Sequence, residues 1–138
     1  MDLTQNYPRS PKEKMCGLVH LPRMIDKARA YKNKSLGEYI YPCPLDKMIL
    51  NYLGVDDILF AQKSNACTDE EIMHWVTERT RTKDPAEKDF INRQILERRP
   101  DTQDRLDYFN GIRDSIDPSR TDIKTWVALL DLEEGRLD

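Results

Sequence analysis

No stretch of the 138-residue chain approaches the roughly 18 consecutive apolar residues that a membrane span needs. The polar segment from Met1 to Pro11 stands where a secretory leader would carry its apolar run. Both absences point to the cytoplasm and to no membrane partner. Only five glycines and eight prolines punctuate the chain, which argues against a loop-rich or low-complexity protein. The three cysteines, Cys16, Cys43 and Cys67, are too few and too widely spaced for a disulfide scaffold or a zinc ribbon. Reduced thiols are the simplest reading, with neither a metal nor a cofactor called for. No segment sustains the alternation of a strand between hairpin turns, and no Gly-rich phosphate loop, His-Glu-x-x-His or Gly-x-Ser-x-Gly is present.

What is present is charge and helical periodicity. Charged residues make up 34% of the chain against 38% hydrophobic ones, the balance of several helices that each keep a solvated face. After Pro22 at a first helical position, Leu21, Met24, Ile25, Ala28 and Tyr31 share one face of a helix expected to stop at Gly37. Pro44 opens a second helix through Leu53, apolar on most sides and ended by Gly54. Asp56 caps a short helix to about Lys63. Capping boxes at Thr68/Glu71 and Asp84/Glu87 start helices to about Arg81 and Arg98. Residues 102 to 116 follow, with a possible break at Asn110-Gly111, and a last helix is expected from Asp122 to Glu134. The expected fold is all-α, one compact domain over 1–138: an extended arm (1–20) and a core of six or seven short helices (21–134).

Candidate chemistry concentrates near the start. Residues 1–34 hold eight cations against three carboxylates, a net of +5, so the overall charge of −3 leaves −8 for the remainder. On the first helix His20, Arg23, Lys27 and Lys34 project along one stripe beside the apolar face. Like charges at this spacing repel unless an anion offsets them, so an external anion or the acidic remainder of the chain is the natural partner. Between Gly37 and Pro44, Tyr39, Tyr41 and Cys43 alternate to one side of an extended link and are candidates to line a pocket. Cys16, His20, Cys43, Cys67 and His74 are available as metal ligands, but they match no compact zinc pattern, and His74 falls on the outer face of its helix. The helices from Asp57 and Asp69 imitate a helix-turn-helix in length. Asp69, Glu70, Glu71 and Glu78 would repel phosphates there, which argues against a nucleic-acid partner.

The wording of four segments adds to this: Pro8-Arg9-Ser10-Pro11, the run Leu21 to Ala30, Gly37-Glu38-Tyr39-Ile40-Tyr41, and the ending Leu130-Asp131-Leu132-Glu133-Glu134-Gly135. Together they resemble a bacterial family known as domain of unknown function 5069. The resemblance implies a small single-domain bacterial protein and brings no activity, cofactor or catalytic residue with it. The residues themselves favour a helical binding module over an enzyme. It would present a basic, Tyr-lined surface to a small anionic ligand or a protein partner, with His20, Arg23, Lys27, Tyr39, Tyr41 and Cys43 as contacts. The alternative is a small enzyme in which Cys16 or Cys43 reacts with His20 as base, or in which His20 and Asp26 handle protons.

Overall fold

The computed structural model describes residues 2–137. They form seven helices: α1 (Leu21–Lys32), α2 (Pro44–Leu53), α3 (Asp57–Ala66), α4 (Asp69–Thr80), α5 (Pro85–Glu97), α6 (Gln103–Ile116) and α7 (Trp126–Glu133). A two-stranded antiparallel ribbon, β1 (Lys14–Met15) with β2 (Leu18–Val19), precedes them. The all-α expectation holds, with this ribbon as its one addition.

Local chemistry explains most of the boundaries. α2, α4 and α5 start at Pro44, Asp69 and Pro85 as their caps require, and the Thr68 hydroxyl and Glu71 carboxylate satisfy each other's backbone amides. The Asp84 carboxylate accepts from the Ala86 amide to start α5. Four features differ from expectation, the first being that α3 runs on to Ala66 past Lys63. α1 ends at Lys32 instead of Gly37, because Lys34 turns to φ 56° and the Ser35 amide reaches back to the Ala30 carbonyl at 2.8 Å. α6 runs unbroken through Asn110-Gly111. α7 begins only at Trp126, because the Thr125 side chain takes the Ala128 amide and caps it there.

The ribbon escapes a search for alternation because each strand has two residues. Its turn, Cys16-Gly17, has φ 55° and 74°, the paired left-handed conformation of a tight hairpin. Asn92 of α5 covers its open edge, accepting from the Val19 amide at 3.0 Å and donating to the Gly17 carbonyl at 2.7 Å.

The N-terminal arm is fastened along its length. Leu3 is buried and its amide donates to the Ser35 carbonyl, while the Arg9 guanidinium grips Asp26 through two nitrogens at 3.0 Å each. Ser10 donates to Asp131 of α7 at 2.8 Å. Beneath the arm, the main core gathers Leu18, Leu21, Ile25, Ile49, Phe60, Val76 and Ile95 from β2 and α1 to α5. Each such side chain, fully buried, contributes roughly 1.5–3 kcal/mol. A smaller cluster, Phe109, Ile123, Leu129 and Leu132, joins α6 to α7. A cleft opens where the arm, the 37–43 link and the α6–α7 pair meet.

Candidate active site

His20 sits between β2 and α1 with φ 72°, a left-handed conformation that a non-glycine residue adopts at a cost of about 1–3 kcal/mol. Two backbone bonds hold it there: its amide donates to the Glu13 carbonyl, and its carbonyl accepts from Met24 to begin α1. The result is an imidazole with no solvent exposure. Its Nε2 lies 2.6 Å from Asp46 Oδ1.

Asp46, in the first turn of α2, is fully buried and completely engaged. Besides His20, it accepts from Lys27 Nζ at 2.7 Å and from the Cys43 amide at 2.9 Å, both on Oδ2. Burial works against its charge, but His20 and Lys27 outweigh burial and hold the carboxyl well below the usual carboxylate range. The ionised Asp46 in turn raises the imidazole of His20 above its ordinary value despite the opposing effect of burial. A carboxylate on Nε2 fixes the tautomer that leaves Nδ1 free of a proton when the ring is neutral. Nδ1 is itself wholly buried and meets no hydrogen-bond partner.

Cys43 occupies the N-cap of α2, where the positive end of the helix favours a thiolate. Its sulfur, a ring nitrogen of His20 and a carboxylate oxygen of Asp46 all lie within 4.8 Å of one another. Burial and the Asp46 charge push the Cys43 thiol up, but His20 and the Lys27 ammonium prevail and bring it below its ordinary value. The result is a carboxylate, an imidazole and a thiol in sequence, with an ammonium bracing the carboxylate.

The imidazole, the thiol and the ammonium border a cleft of about 920 Å³, within the range of small-molecule sites. His20, Arg23, Lys27, Tyr39 and Cys43, all expected as contacts, line it. Tyr41 does not: its ring packs 5.4 Å from that of Tyr31 and its hydroxyl donates to the Asp57 carbonyl at 2.6 Å, within the core. Cys16 also lies elsewhere, its sulfur donating to the Met73 carbonyl at 3.5 Å. Asp26 is held by Arg9, so the carboxylate that serves His20 is Asp46.

The cationic stripe is not available to an external anion. Lys27 is spent on Asp46, and Arg23, 2% exposed, donates through both terminal nitrogens to Glu134 at 2.8 and 2.7 Å. Glu134 also accepts from the Tyr39 hydroxyl at 2.9 Å and from Arg136. The offsetting charges for α1 therefore come from its own chain. Lys34 lies outside the helix and is exposed.

Asp46 and Glu134 are the two charged partners that sequence reasoning missed. Asp46 had a faint signal, since Cys43-x-x-Asp46 has the spacing of a capping box. Glu134 is 111 residues from Arg23, and nothing local marks the pair. The His20, Cys43 and Asp46 donors also bear on metal binding. Both Asp46 oxygens and His20 Nε2 are already engaged, which leaves these three residues too few open donors for a tetrahedral site.

The model of the family described as "Domain of unknown function (DUF5069)" matches residues 5–136, and the chain belongs to that family. No curated protein matches the sequence.

Proposed function

We propose that this DUF5069 member is a small thiol-dependent enzyme in which Cys43 is the nucleophile, His20 moves its proton and Asp46, braced by Lys27, orients the imidazole. The observation that carries this reading is the buried, unpartnered Nδ1 of His20. It belongs to a ring that Asp46 anchors through the other nitrogen and that has the Cys43 thiol as a neighbour at the cleft wall. A base held by a third group next to a nucleophile is the general arrangement for covalent catalysis. Holding His20 in a left-handed conformation without solvent is also a use of stability typical of working sites.

The chemistry is transfer or hydrolysis at an electrophilic carbon. His20 Nδ1 takes the thiol proton as the Cys43 sulfur bonds to that carbon. The leaving group then departs with the proton from His20. In the second half, His20 draws a proton from water, the hydroxide adds to the carbon, and the sulfur leaves and recovers its proton. A thiol of this kind must stay reduced, so the reading requires a reducing compartment such as the cytoplasm.

All three cysteines are partly buried, so a small neutral reagent can reach each of them. With limiting iodoacetamide and peptide mapping, Cys43 is expected to alkylate about tenfold faster than Cys16 and Cys67 at neutral pH. His20→Asn should bring it level with them while the helical circular dichroism is retained. Equal rates for all three in the native protein would remove the nucleophile from the proposal. A binding module for an anion, the reading that the basic stripe invited, would require free cations in the cleft, and Arg23 and Lys27 are already paired.

A further inference from the structure

The wall of the same cleft says which molecules suit it. Its lining carries three carboxylates, Glu38, Glu133 and Glu134, beside the basic side chains Arg23, Lys27 and His20. Arg23 and Lys27 are buried in ion pairs, and Glu134 is consumed by Arg23, Arg136 and Tyr39. Glu133 and Glu38 have no ion-pair partner among the described residues, and both are exposed. Burial of part of its carboxyl and the neighbouring charge of Glu134 raise the Glu133 carboxyl above its ordinary value, an environment that a positive charge would relieve.

Aromatic rings share the lining with these carboxylates. Tyr7 and Tyr108 line the cleft while 57% and 65% exposed, and Trp126 lines it too, packed edge-on against Phe109 at 5.1 Å. Tyr39 already shows the preference of such rings, with the Arg23 guanidinium 5.4 Å from its centroid. Aromatic faces and unpaired carboxylates on one lining attract nitrogen cations in preference to anions. His20, whose Nδ1 is fully buried and meets no hydrogen-bond partner, belongs to the same lining, so the carboxylates and rings share one cleft with the proposed base.

From the unpaired carboxylates, the aromatic lining and the spent cations, we infer that the cleft takes an organic cation, a small molecule joining an ammonium or amidinium nitrogen to an apolar portion, as the substrate class of Cys43. This rests on the thiol reading above and reverses the sign of charge that the sequence led one to expect.

Benzylamine and benzoate test it, since they share a ring and differ in the sign of their charge. Benzylamine should raise the melting temperature and slow Cys43 alkylation by iodoacetamide several-fold, with Cys16 and Cys67 unaffected as internal controls. Benzoate should do neither. Glu133→Gln, an exposed change that should leave folding intact, is expected to raise the half-saturating benzylamine concentration about tenfold. Protection by benzoate equal to or greater than that by benzylamine would overturn the inference, as would a benzylamine effect unchanged in Glu133→Gln. Should Cys43 alkylate no faster than the other cysteines, the thiol reading fails, yet the two melting-temperature shifts still decide the charge preference.

Discussion

α1 and α6 are both rich in charge, and they use it in opposite ways. In α1, Arg23, Asp26 and Lys27 are all buried, each in an ion pair with a distant part of the chain: Glu134, Arg9 and Asp46. In α6 every charged side chain but the half-buried Arg113 faces water, Phe109 is its one buried residue, and Arg105 pairs with Asp101 just before the helix, the two 60% and 64% exposed. The same residue types therefore do different work. A buried pair leaves a stranded charge when one partner is removed, whereas an exposed pair exchanges its partner for water.

The largest break in this contrast comes at Asp46. Asp46→Asn strands the Lys27 ammonium and weakens the anchor of His20, and should cost about 3–5 kcal/mol in denaturant-unfolding free energy. The sign of its pH dependence follows from the lowered carboxyl. Asp46 stabilises the native state above the unfolded value near 3.9, and that contribution is lost as the pH falls through the folded value. The gap between wild type and Asp46→Asn should therefore close on acidification, as unfolding curves at successive pH values would show.

Glu134→Gln comes next, at roughly 3 kcal/mol, because Arg23 keeps only a 3.2 Å bond to the Arg9 carbonyl and the neutral amide that replaces the carboxylate. Thr102→Ala removes the cap of α6, whose hydroxyl accepts from the Arg105 amide, and should cost about 1 kcal/mol. Arg105→Ala should leave the unfolding midpoint where it was, since its pair is solvated on both sides. A loss for Arg105→Ala as large as that for Asp46→Asn would erase the distinction between the two helices.

The same contrast separates what the sequence made legible from what it hid. Local chemistry was readable: Pro44 and Gly54 bracket α2, Thr68 and Glu71 start α4, and the apolar face of α1 is the one that enters the core. Five of the six expected contact residues line one cleft, because residues 20 to 43 carry them on one helix and the link after it. Pairing at a distance was not readable. Cations on α1 look free in one dimension because Asp46 and Glu134 reach them only after folding, across 19 and 111 residues. Tyr41 departs because a buried hydroxyl needs an acceptor, and the Asp57 carbonyl supplies one inside the core. The ribbon was hidden by its length and by Cys16, which takes a left-handed position where glycine or asparagine is the usual signal.

The most direct test of the account is the titration of Cys43 itself, followed by thiolate ultraviolet absorbance in a Cys16→Ser, Cys67→Ser protein where no other thiol contributes. Burial and Asp46 raise the Cys43 thiol and His20 and Lys27 lower it, and the balance is predicted to place the midpoint below the ordinary thiol value of about 8.5, with His20→Asn moving it upward. A midpoint at or above about 8.5 that His20→Asn leaves unmoved would contradict the account.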